Sequence, residues 1–154
     1  MSKLPTVAII GQANVGKSSL FNRLTRSRTA IVAREAGTTR DNVVGKVSYK
    51  RRNVDSTPSD DYSQFWLIDT AGLKTAEDEF EATIQDQIAD ASAAADVILV
   101  TVDSTVYPSD ADRQLAKKAL KSGKPDILIA NKADLKGTLS IVEFKRLGIK
   151  NIIK

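Results

Sequence analysis

Cysteine and histidine are both missing from this 154-residue chain. Their absence removes disulfides, thiolate and imidazole zinc sites, a cysteine or histidine nucleophile, and any Ser-His triad. Whatever chemistry takes place must use Lys, Ser, Thr, Asp, Asn or backbone amides. Long apolar runs are missing too: nothing approaches the roughly 18 residues of a membrane span, and Met1 to Pro5 hold no signal-peptide core. No membrane span is expected, and the expected location is the cytoplasm. Aromatic residues make up only 5% of the chain, with one tryptophan, and Trp66 reads as core or sheet-face packing rather than a functional aromatic. The excess of one charge sign is small, since 23 basic residues against 19 acidic ones give +4. That permits contact with a polyanion without arguing strongly for one. The length suits one ordinary domain, long enough to bury a core unaided.

Apolar runs alternate with helix-like stretches. Thr6 to Ile10 (TVAII) is a β-branched run ending at Gly11, and Ser18 to Leu24 reads as a helix with Leu20, Phe21 and Leu24 on one side. Arg26 to Thr39 has no period and reads as a long loop. Asn42 to Lys50 and Gln64 to Asp69 read as strands. Between them, Arg51 to Ser63 is polar and turn-rich, far longer than the roughly 2–5 residues usual in a hairpin, and reads as a loop. Phe80 to Ala95 reads as an Ala-rich helix, Asp96 to Val102 as a buried strand, Ser109 to Ser122 as a helix closed by Gly123, and Asp126 to Ala130 as another buried strand. Glu143 to Leu147 is a short helical candidate, and Asn151 to Lys154 the start of a strand. Two continuous apolar strands flanking a helix imply a parallel sheet covered on both faces. The expected fold is α/β and three-layered, a mostly parallel sheet with one antiparallel edge strand, Asn42 to Lys50.

Gly11 to Ser18 (GQANVGKS) fits G-x-x-x-x-G-K-[ST], with a strand before it and a helix after it. Glycines let the backbone curl so that successive N–H groups point at phosphate oxygens, and the helix N-terminus adds its positive dipole end. Gly11, Asn14, Val15, Gly16, Lys17, Ser18 and Ser19 are the candidate phosphate-binding residues. Lys17 reaches the β- and γ-phosphates, and Ser18 offers its hydroxyl to magnesium. A glycine turn that merely joins strand to helix needs neither Lys nor Ser at those places. Two more boxes follow in order. IDTAG (Ile68 to Gly72) ends a strand with Asp69, where a carboxylate can hold magnesium through water, and Gly72 can give its N–H to the γ-phosphate. NKAD (Asn131, Lys132, Ala133, Asp134) follows a buried strand, at a carboxyl end of the sheet where open α/β sheets bind ligands. Asp134 can accept the N1–H and the exocyclic N2–H of guanine, a pair that adenine lacks, which selects GTP over ATP. Singly, either box is also readable as a turn with a satisfied aspartate.

Together GQANVGKS, the Thr39 region, DTAG and NKAD resemble the P-loop NTPase G domains of the translation-factor-related GTPases over nearly the whole chain. Within them the chain is most similar to the first G domain of the Der (EngA) family of bacterial double GTPases, through Asn14 to Ser18, Gly37 to Asp41 (GTTRD), the stretch around Ala95 to Asp103, and Lys121 to Pro125. GTTRD is also similar to the second Der domain and to the tRNA-modification GTPase MnmE. DTAG in place of DTGG and Ala36 in place of proline depart from the pattern.

The resemblance implies a slow GTPase acting as a switch in maturation of the large ribosomal subunit, with that subunit or its RNA as partner. It makes Thr39 the switch threonine, whose hydroxyl joins magnesium and whose N–H meets the γ-phosphate while GTP is bound. Leu73 stands where many small GTPases carry a water-orienting glutamine. In the resembled family, a hydrophobic residue there goes with Asn14 helping to hold a potassium ion. Lys17, Thr39 and Asn14 are therefore the expected catalytic set, and Ser18, Thr39 and Asp69 the metal set. By the same resemblance, residues 1–154 form one G domain, cut before the Ser-Ala box that props the guanine and before the last helix. Two alternatives stand beside this reading: a non-catalytic nucleotide-gated binding module, and a GTPase of the MnmE or Era type acting on tRNA or rRNA. The basic cluster Lys46, Lys50, Arg51 and Arg52 reads as a solvated strand end. With no aromatic platform in that segment, direct RNA recognition there is not expected.

Overall fold

The structure, a computed structural model, describes residues 3–25, 32–34, 43–52, 58–69, 89, 91 and 93–154, by backbone alone at 32–34, 43, 51–52 and 58–61. Thr39, Gly72, Leu73 and most of the expected helix Phe80 to Ala95 lie outside the described residues.

A strand buried on both faces needs no polar alternation, and the run TVAII meets that condition. It forms β1 (Thr6–Gly11), which lies parallel between β4 (Pro58–Asp69) and β5 (Val97–Asp103). Beyond β5, β6 (Asp126–Asn131) and β7 (Ile152–Ile153) continue the parallel pairing. On the other side β3 (Val43–Arg52) pairs antiparallel with β4, and β2 (Val32–Arg34) antiparallel with β3. The seven strands form one sheet in the order β2-β3-β4-β1-β5-β6-β7. The antiparallel strand is thus where the sequence places it, but the edge belongs to β2, three residues inside the stretch read as loop. A strand so short carries no readable period.

Successive side chains divide the core in two. Ala8 and Ile10 join Ile98, Val100, Val102, Leu128 and Ala130 on one face. There α2 (Asp110–Lys121) covers them with Leu115, Ala116 and Ala119, and Phe144 of α3 (Ile141–Lys145) closes the end. Ile9, Leu67 and Leu99 point the other way, onto Phe21 of α1 (Lys17–Thr25). Gly45 lets α1 approach β3: a Cβ there would lie 2.5 Å from Thr25 Cγ2 and 2.9 Å from Phe21 Cζ.

The loop expected over Arg51 to Ser63 is shorter than its composition suggests. The β3–β4 ladder runs from Val43↔Asp69 out to Lys50↔Tyr62 and, past an irregularity, Arg52↔Pro58. Tyr49 and Tyr62 are 47% and 66% exposed, so neither marks a buried face that an apolar alternation would have announced. Pro58 takes the first strand position, where proline is tolerated. Among the described residues no helix is long and apolar enough to cross a membrane.

Candidate functional site

β1 stops at Gly11 in the middle of the sheet, where the parallel strands present their carboxyl ends. Residues 12–16 then turn the chain into α1. Asn14 and Gly16 adopt left-handed φ values of 65° and 92°, a conformation that glycine takes freely and asparagine tolerates. Gly16 is required twice over, since a Cβ would fall on the Asn131 amide. Lys17 opens the helix and is buried. Its ammonium folds back to donate to the carbonyl oxygens of Gly11 (2.9 Å) and Gln12 (2.6 Å), as a buried charge must find partners. A cleft of about 320 Å³ lies here, lined by Asn14, Gly16, Lys17, Ser18, Ser19 and Lys132.

Ser18 and Asp69 are far apart in sequence and meet through the parallel pairing of β1 with β4, whose register sets Ile9 beside Asp69. Ser18 Oγ donates to Asp69 Oδ2 at 3.4 Å, and Asp69 is only 1% exposed. Two hard oxygen donors at one point, without imidazole or thiolate, fit a magnesium ion.

The end of β6 supplies the third group. The Asn131 Nδ2 donates to the carbonyl oxygens of Val15 (3.0 Å) and Gly16 (3.3 Å), bracing the phosphate loop. Lys132, with φ 63°, reaches Asp103 at the end of β5, Nζ to Oδ2 2.8 Å. Asp103 also accepts from Thr105 N (2.8 Å) and Oγ1 (2.6 Å). Burial works to raise the Asp103 pKa, but the hydrogen bonds from Lys132 and Thr105 outweigh it and hold the carboxyl below its ordinary value. Asp134 stands exposed beyond the turn, with no side-chain partner among the described residues.

The phosphate-loop residues, Asp69, Asn131 and Lys132 therefore converge on one crevice, with Asp134 near it in sequence and free to meet a ligand. Thr39 and Gly72 fall outside the described residues. Three residues in the site went unread in sequence. Gln12 donates Nε2 to Ser109 Oγ and Asp112 Oδ1, both at 2.7 Å; the carboxylate can only accept, so the amide nitrogen must face it. Ser109 and Asp112 form the capping box of α2, which the S-x-x-D spacing announces. Nothing in the sequence announces that Gln12 would reach it.

Against known proteins, the family described as "50S ribosome-binding GTPase" matches residues 6–132. GTPase Der of Porphyromonas gingivalis is 43% identical over 145 residues, covering 93% of this chain and 31% of the relative. GTPase Der of Gemmatimonas aurantiaca is 40% identical over 152 residues, covering 97% and 32%. The chain thus spans about a third of the length of these curated relatives. Among solved structures, Era in complex with MgGDPNP and nucleotides 1506–1542 of 16S ribosomal RNA aligns at TM-score 0.62 and 25% identity, covering 99% of this chain and 51% of that one.

Proposed function

Because the chain belongs to the 50S ribosome-binding GTPase family, we propose that it binds magnesium-GTP at the crevice above β1, hydrolyses it to GDP and phosphate, and acts in the cytoplasm as a switch on the large ribosomal subunit. The observation that carries this reading is the meeting of three distant boxes at one loop: Lys17 held on the loop carbonyls, Ser18 on Asp69, and Asn131 on Val15 and Gly16. Similarity to the proteins named GTPase Der supports the reaction. The Era complex, with its MgGDPNP and ribosomal RNA, supports the metal and an RNA-bearing partner.

In the reaction water attacks the γ-phosphorus and the bond to the β-phosphate oxygen breaks, so the protein's work is positioning and charge stabilisation. Loop N–H groups hold the phosphates, and Lys17 donates to the β- and γ-oxygens from its seat beside Gly11. Ser18 through its hydroxyl and Asp69 through water, with Thr39, would hold magnesium, which when bound would neutralise charge on the phosphates. Asp134 accepts from the guanine edge. Asn14, exposed in its left-handed turn, would help hold a potassium ion, whose charge would serve where Leu73 replaces a catalytic glutamine.

Calorimetry with GDP and a non-hydrolysable GTP analogue, followed by single-turnover phosphate release, tests the proposal. Saturable binding is expected, with faster release in potassium than in sodium at equal ionic strength. No heat from a folded sample would overturn nucleotide binding, equal rates would remove the potassium role, and release no faster than in buffer would favour a nucleotide-gated binding module.

A further inference from the structure

Resting on the reading of an RNA-bearing partner, we propose that one face of the β3–β4 ribbon binds single-stranded RNA by stacking bases on Tyr62 and Trp66 and neutralising phosphates with Lys46 and Lys50.

In the linear chain these residues do not form a unit; antiparallel pairing makes them one. The register sets Lys46 opposite Trp66, Ser48 opposite Gln64 and Lys50 opposite Tyr62. Directly opposed residues share a face, and the face repeats every second residue. The intervening pair Val47 and Phe65 turns the other way, into the core beneath α1. This face therefore carries three rungs in order: cation and ring, hydroxyl and amide, cation and ring.

Each rung suits the ligand. Tyr62 is 66% exposed. Trp66 is partly exposed, with the Lys46 ammonium 6.0 Å from its ring centroid, at the outer limit of a cation–π contact. The lysine is thus held loosely over the ring, free to turn toward a phosphate when a base takes that face. The middle rung is tied flat by the Gln64 Nε2 to Ser48 Oγ hydrogen bond of 3.0 Å. Along β4 the two rings are four residues apart, about 13 Å, so each takes its own base with room for another between. Tyr49, on the opposite face, instead packs edge-on against Phe65, ring centroids 6.1 Å apart. An acidic protein segment would use the two lysines but leave the rings idle, and a duplex hides its base faces. The chemistry that uses all four groups is an unpaired strand with a phosphate backbone.

Trp66 is the chain's one tryptophan, so its emission reports stacking directly. A single-stranded RNA of about 12 nucleotides and mixed sequence is expected to bind the full chain and quench that emission saturably. Tyr62→Ala should weaken binding about tenfold, and Tyr62→Phe should restore it. Lys50→Ala should lower the slope of log affinity against log salt by about 0.7. GTP turnover should stay unchanged in all three. Binding without quenching, affinity unaltered in both Tyr62→Ala and Lys50→Ala, or equal binding of a duplex or of oligoglutamate would overturn the proposal. Co-sedimentation with large ribosomal subunits separates it from the broader reading. RNA binding with quenching but no co-sedimentation supports the platform and overturns the ribosomal role. Nucleotide-dependent co-sedimentation without RNA binding overturns the platform alone.

Discussion

Gln12 shows how one side chain can set the geometry of another. Its amide is anchored on the α2 cap through Ser109 and Asp112, while its main-chain oxygen receives the Lys17 ammonium. Gln12→Ala frees the first half of the phosphate loop, and guanine-nucleotide affinity should fall about tenfold, the scale of one hydrogen bond to a charged group. Gln12→Lys, whose ammonium reaches the same carboxylate, should recover most of it; GDP titration by calorimetry, with melting curves as a check on folding, measures both. Asp103 makes a prediction in pH. Its folded-state pKa lies below the ordinary 3.8, so its stabilising contribution is complete above that value and disappears as pH falls through the folded-state pKa. Asp103→Asn should be less stable than the parent at pH 7, and the difference should close in the acid range below 3.8 when urea midpoints are compared across pH.

At the scale of elements, α1 and β3 form a close joint near the site. Gly45 lies against Thr25 and Phe21, and an added methyl group has nowhere to go. Gly45→Ala should cost about 1–3 kcal/mol as overpacking, read as a lower denaturant midpoint at unchanged slope. Thr25→Ser removes the methyl in the way, so the double variant should recover part of the loss, a coupling expected of neighbours in contact. The helix so displaced is the one that begins at Lys17, and nucleotide affinity should fall together with stability.

The whole molecule assembles its crevice from the ends of β1, β4, β5 and β6, strands spread from Thr6 to Asn131 along the chain. Asn131 joins the two ends of that crevice, since it belongs to the guanine box yet its amide holds the phosphate loop. That leaves Asp134 as the group free to read the base. Asp134→Asn should shift preference from guanine toward xanthine nucleotides, because the new amide donates to an oxygen where guanine carries an amino group. Competition of both triphosphates against labelled GDP measures the shift; unchanged selectivity would place base reading elsewhere.

Local signals were enough for much of this. The run TVAII, the GQANVGKS turn and the helix closed by Gly123 each specify their conformation through neighbours a few residues away, and so the central strands, α1, α2 and the phosphate loop were legible from the chain alone. The chemistry of the site was also legible, because Lys, Ser and Asp at those spacings have few other uses. What tertiary structure decided involves pairings across long separations. The β3–β4 ladder extends past Gln64 to Tyr62 and Pro58, β2 is too short to carry a pattern, Asn131 braces the phosphate loop, and Gln12 finds Asp112 a hundred positions away. That Lys46 stands opposite Trp66 and Lys50 opposite Tyr62 was decided by strand register alone. Periodicity tells which way a side chain points along its own strand, while its neighbour across the strand is set by register, a property of the folded sheet.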